Sequence, residues 1–184
     1  EIIYSIDLQE NNWNIKTDIK ASGLVDKFVS FTFKAESRGL LDDGKLKPEI
    51  YNFYYEIKNK NKSREASIKY NDGIPISLKA NPPYRGNDIL SKDDLFKYGS
   101  NSSDPNSAFV VSGIYENPCL ESSRSFDGVR SYEIKMSERT KKTKLIINEN
   151  KYEIILCKGS FNPIVGYEES DFLETASEKN SIAY

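Results

Sequence analysis

Apolar and polar residues alternate with period two along most of this chain, the pattern of half-buried strands in an antiparallel sheet. Trp13, Ile15, Thr17, Ile19 and Ala21 fall on one face, with Asn14, Lys16, Asp18 and Lys20 on the other. Val29, Phe31 and Phe33 repeat the pattern, and Tyr51, Phe53, Tyr55 and Ile57 make the most aromatic face, opposite Asn52 and Glu56. Ala66, Ile68 and Tyr70 follow, then Ile76, Leu78 and Ala80. Three late runs are centred on Ile134, Leu145 and Ile154. Asp43-Gly44, Asp72-Gly73 and Asp127-Gly128 are turn dipeptides that accept positive φ, and Asn148-Glu149-Asn150 predicts another hairpin.

Two stretches break the alternation. Asn81 to Ser107 is rich in Pro, Gly and Ser, with a short segment around Leu90 to Phe96 that predicts one or two helical turns. Ser91 is its N-cap, with Asp93 and Asp94 in the first turn. Leu120 to Ser125 is the second irregular stretch. The reading is one all-β, mainly antiparallel domain over residues 1–184, with a long central excursion. Its sheet must roll up or take a cover on its apolar face. Both ends read as cut, since a strand begins at once and the last residues are apolar.

Composition narrows the chemistry. Histidine is absent from all 184 residues, so Ser–His and Cys–His nucleophiles and His-ligated metals are excluded. Carboxylate, Lys and Tyr chemistry remains. The net charge of −2 is spread over interspersed signs and gives no nucleic-acid footprint. No apolar run approaches the ~20 residues of a spanning helix. Cys119 and Cys157 lack metal-knuckle or redox spacing, which leaves a disulfide or two buried thiols open. Closing that loop of about 39 residues would stabilise the chain by roughly 4 kcal/mol.

Several groups invite a chemical role. Asp104-Pro105, with Ser102, Ser103 and Ser107, suits a nucleophile or cation site, or more plainly an Asp capping a turn. Asp42-Asp43, Asp93-Asp94 and Glu168-Glu169 are adjacent acids that strand geometry points to opposite faces, so they read as solvated surface. Arg139 to Lys144 is the one basic run, read as a hairpin tip that also offers peripheral contact with anionic lipid headgroups. Tyr51, Phe53 and Tyr55 are candidates to line an apolar-ligand groove, or are core.

Taken in order, these pieces resemble a family. Ser22-Gly23-Leu24-Val25-Asp26 follows an amphipathic strand, and an aromatic strand ends in Ser37-Arg38-Gly39. Leu46-Lys47-Pro48 precedes a second aromatic strand and a strand containing Arg64, with Asp104-Pro105-Asn106-Ser107 further on. Cys119 is followed by Phe126-Asp127-Gly128-Val129-Arg130, and Cys157 by Gly166-Tyr167. From about Trp13 to Phe172 this series resembles the exported bacterial domain-of-unknown-function family 3108, with Arg130 a residue early. That family usually continues through further C-terminal strands.

The resemblance implies a periplasmic location after removal of a signal peptide, a Cys119–Cys157 disulfide, and a strongly curved sheet or open half-barrel similar to lipoprotein carriers. It implies no reaction and no cofactor. The expected function is non-enzymatic binding of a lipid, another apolar ligand or an envelope component on the curved sheet. The alternatives are an adaptor domain for an envelope protein and, from the surviving carboxylates alone, a glycan-active enzyme.

Overall fold

Alternation becomes two open antiparallel sheets in the computed structural model, which describes residues 1–42, 45–84, 91–110, 119, 122–147 and 150–167, with backbone alone at 24, 25, 92 and 138–156. The first sheet is a six-stranded meander in chain order: β1 (Ile2–Leu8), β2 (Asn12–Lys20), β3 (Phe31–Asp42), β4 (Lys45–Ile57), β5 (Lys62–Asn71) and β6 (Ile74–Asn81). The second holds β7 (Ser122–Phe126), β8 (Ser131–Ile147) and β9 (Asn150–Val165). Neither closes into a barrel, so the all-β antiparallel expectation is met, and among the described residues both sheets keep open edges.

Local chemistry explains the connections. Asp72 and Gly73 both take positive φ, +49° and +73°, as a tight two-residue hairpin between β5 and β6 requires. Asp127 closes β7 onto β8 through a wider turn: its Oδ1 accepts from the Val129 and Arg130 amides at 2.9 and 2.6 Å. Asp43-Gly44 and Asn148-Glu149 lie outside the described residues, flanked by the pairs Asp42↔Lys45 and Ile147↔Asn150. Between β2 and β3 the chain makes the short helix α1 (Leu24–Phe28), after a Gly23 at φ +64°. Alternation predicts a strand from Val29, and the strand begins instead at Phe31.

The central excursion carries α2 (Lys92–Gly99). Ser91 caps it as expected, and the Ser91 and Asp94 side chains and backbones bond reciprocally as a capping box. The helix runs three residues past its predicted end and seats Gly99 against Pro75 of β6 and Phe126 of β7, where a Cβ has no room. The basic run corrects an expectation. Arg139 to Lys144 is no hairpin tip but the middle of β8, with register shifts at Met136/Glu138 and Arg139/Lys141. A 17-residue strand absorbs polar residues this way when bulges let it bend.

The core lies on the face of the first sheet that carries Trp13, Ile15, Ala35, Tyr51 and Ile68, all buried. Asn106, Ser107, Ala108 and the Asp127–Arg130 turn cover it, the turn placing Gly128, at φ +98°, against Ile68 and Leu78. Cys119 and Cys157 are bonded, with Cα atoms 5.3 Å apart, and join the segment before β7 to β9. Among the described residues no helix is long and apolar enough to cross a membrane.

Candidate functional site

The face away from the core carries charged, amide and hydroxyl side chains around a largely apolar hollow. A groove of about 820 Å³ runs across all six strands, from Ile3 and Ser5 on β1 to Lys79 and Asn81 on β6. A groove that touches every strand of one sheet requires that sheet to curve around it. Its walls follow from strand register. Ile3, Asp18, Lys34, Tyr54, Glu65 and Asn81 are successive cross-strand partners and form one wall. Ser5, Lys16, Glu36, Asn52, Ser67 and Lys79 are partners two residues along and form the other. Between them runs a row of small or core-facing residues, including Thr17, Ala35, Ala66 and Ala80, whose side chains alternate to the other face.

The walls carry three acids and three bases, and their charges cancel. Lys16 pairs with Glu36 across the ladder at 3.3 Å, and Lys34 with Asp18 at 3.9 Å. Glu65 Oε1 accepts from Asn81 Nδ2 at 3.3 Å, and Asn14 Nδ2 donates to Glu36 at 3.1 Å. The Asn14 amide first, and then the Lys16 ammonium, hold the Glu36 carboxyl below its usual range against partial burial. Lys79 has no ion-pair partner among the described residues. At the middle of the groove stands Tyr54, its ring partly exposed, with Asn52 and Ser67 facing it across the floor.

The aromatic candidates sit on the other side. Tyr51 is 2% exposed and packs with Ala35, Ile68 and Tyr70, so it is core, not lining. Phe53 packs against the same cluster and stacks on Phe33 at 6.3 Å, reaching the groove only as part of its floor. Tyr55 is half-buried and shares their face. The physical reason is the one alternation could not settle. A sheet with one apolar and one polar face buries the apolar one, and here the chain's own central excursion buries it.

That excursion explains Asp104. Its carboxylate is fully buried and accepts from the Asn106 amide at 2.9 Å, the Ser107 amide at 3.2 Å, the Ser107 hydroxyl at 2.5 Å and the Ser37 hydroxyl of β3. It caps the turn ahead of the 3₁₀ segment Ser107–Phe109, as its position before Pro105 predicts. Burial pushes its pKa above the usual carboxylate range against these bonds. Asn106 extends the clamp: its backbone oxygen accepts from the Tyr4 hydroxyl at 2.6 Å and its side chain from Thr17 at 3.1 Å. Burial, then Asp104, raises the Tyr4 pKa to about 12. With no solvent at its oxygens, Asp104 is a structural clamp. Ser102 is buried beside it, and its hydroxyl donates to the Tyr98 carbonyl. Ser103 pairs as an isolated bridge with Ser125.

Sequence reasoning missed the groove because its residues look individually like solvated surface. The available signal was register: only with the strands paired do Lys16 and Glu36, or Asp18 and Lys34, fall opposite one another. Asp93 and Asp94 sit in the first turn of α2, a helix and not a strand, and Asp42 reaches Lys47 at 2.7 Å. Asp43, Glu168 and Glu169 lie outside the described residues. Among the described residues no group of three or more acids and cysteines could hold a metal. No family model, curated protein or solved structure matches the chain.

Proposed function

We propose that this chain is a non-catalytic binding module of the cell envelope that holds an extended, uncharged, hydroxyl-rich ligand, a glycan strand, in the concave groove of its first sheet. The observation that carries this reading is the pair of six-residue walls whose charges cancel only when the two are taken together, with Tyr54 at the middle of one of them. Amide, hydroxyl and carboxylate side chains offer donors and acceptors to hydroxyls at every strand step. The Tyr54 ring offers a flat apolar surface to one sugar face. Strands about 4.8 Å apart make a six-stranded groove about 24 Å long, room for several sugar rings. The aromatic face of the sheet is not free for an acyl chain, because Asn106, Ser107 and the Asp127–Arg130 turn already cover it. The buried disulfide supports an oxidising compartment.

The test is titration of the protein with neutral oligosaccharides of increasing length, followed by amide chemical shifts. Shifts concentrated at Asn52, Tyr54 and Ser67, with affinity rising with length up to the groove's span, are expected. Tyr54→Ala is expected to weaken binding about tenfold, the loss of one aromatic contact. No binding to any neutral glycan, together with uptake of fatty acids or detergent, would replace this reading with an apolar-ligand carrier.

A further inference from the structure

Among the described residues strand β1 is an open edge, and Asp7 is the one charge on it. Among the described residues it pairs with β2 alone, and all seven of its residues are exposed. It carries no Lys, Pro or bulge, the usual means of blocking strand addition. The ladder with β2 shows which backbone groups are spare. Lys20 donates to the Glu1 carbonyl at 2.9 Å and Gln9 to Asn12 at 2.8 Å. Hydrogen-bonded pairs alternate along an antiparallel ladder, so Ile3, Ser5 and Asp7 also face β2. The backbone N–H and C=O of Ile2, Tyr4, Ile6 and Leu8 therefore point outward from the edge. Their side chains share the core face of the sheet. Tyr4 is held there by Asn106, while Ile2, Ile6 and Leu8 remain 72, 46 and 54% exposed.

We infer that β1 pairs antiparallel with β1 of a second copy, joining two six-stranded sheets into one of twelve strands. The strand is complementary to itself in a single register. With Ser5 on the two-fold axis, Ile2 lies opposite Leu8 of the other copy and Tyr4 opposite Ile6. These are the four residues whose backbone groups are spare, so every outward group finds a partner. Asp7 then faces Ile3 of the other copy and no like charges meet. Ile2, Ile6 and Leu8 of both copies close over one another on the core face. A shift by one residue would set inward-bonded groups against outward ones, and a shift by two would leave Leu8 or Ile2 without a partner on the other strand.

The pairing has a consequence for the groove. Ser5 lines it, and a two-fold axis perpendicular to the sheet keeps the polar faces of both copies on one side. The wall that runs Lys79, Ser67, Asn52, Glu36, Lys16, Ser5 continues through Ser5 of the second copy into the same wall reversed. Two grooves become one trough. This pairing rests on the edge of β1 and stands whether or not the groove takes a glycan.

Sedimentation equilibrium of the chain tests it, with three variants. A mass twice the 21.0 kDa of one chain is expected for the wild type. Ile6→Pro removes an outward N–H while costing no bond to β2, and Ile6→Lys puts a charge among the apolar side chains. Each is expected to weaken dimerisation at least tenfold with the melting temperature of the monomer unchanged. Ser5→Cys reads the register directly. Ser5 and its copy form a non-hydrogen-bonded pair with Cα atoms about 4.5 Å apart, within reach of a disulfide, so a covalent dimer is expected on non-reducing gels. A wild-type monomer at every concentration overturns the pairing. So does a dimer indifferent to both Ile6 variants, or one in which Ser5→Cys fails to cross-link.

Discussion

A serine in the middle of a core-facing row holds the architecture together at the residue scale. Ser37 stands between Ala35 and Gly39 on the buried face of β3, and its hydroxyl donates to Asp104 across 67 residues of sequence. Ser37→Ala leaves a buried carboxylate short of one donor, and a loss of about 1–3 kcal/mol in urea unfolding is expected. The pH dependence has a definite sign. Burial raises the Asp104 pKa above 3.8, so the folded state binds the proton more tightly than the unfolded chain. The stability this confers is fully present below about pH 3.8 and is lost as pH rises through the folded pKa. Asp104→Asn lacks that titration. The wild-type stability minus that of Asp104→Asn should therefore fall as pH rises from the mid-3s, and a rising difference would mean that the four donors outweigh burial. Tyr51 and Tyr70 act the same way at the other end of the scale. Burial, then Asp104 and Asp127, lifts both phenols well above 10, so stability present below pH 10 is lost above it. Absorbance of phenolate in an alkaline titration should show these two ionising only as the protein unfolds.

Elements were legible wherever a local rule sufficed and illegible wherever a distant partner decided. The Ser91 cap and the Asp72-Gly73 hairpin are complete within a few residues, so pattern alone located them. The apolar face of β4 was equally plain, but what covers it is a loop some fifty residues later, and alternation marks burial without naming the cover. Arg139 to Lys144 reads as a tip because charged residues cluster there, whereas pairing with β9 continues along β8 past them, with register shifts at Met136/Glu138 and Arg139/Lys141. Two predictions belong to this scale. Gly128 needs φ +98°, and a Cβ there would meet Leu78 and Ile68 at 2.9 and 3.0 Å. Gly128→Ala should cost about 2 kcal/mol, from strain and overpacking together, in equilibrium unfolding monitored by circular dichroism. Replacing Cys119 and Cys157 together by Ala opens a loop with a sequence separation of 38 residues. It should cost about 4 kcal/mol on the chain-entropy argument, measured against the oxidised wild type.

For the whole molecule, the groove's charge balance decides what kind of ligand it admits and how binding should respond to salt. Asp18, Glu36 and Glu65 are offset by Lys16, Lys34 and Lys79, so the trough presents no net field along its length. A ligand held by hydroxyl contacts and one aromatic face displaces few counterions. Its affinity should change less than about twofold between 0.05 and 0.5 M salt, since screening acts on net charge beyond the ~10 Å Debye length of 0.1 M salt. A polyanion would instead need one sign of charge and would weaken steeply over the same range. Lys79 is the sensitive point, because it alone among the six lacks a close polar partner among the described residues. Lys79→Glu shifts the balance by two charges without breaking a pair. If the ligand is neutral, this variant should bind within about threefold of the wild type at every salt concentration. If the wild type loses affinity with salt and Lys79→Glu abolishes binding at low salt, the groove recognises an anionic chain through Lys79, and the glycan is one that carries acidic groups.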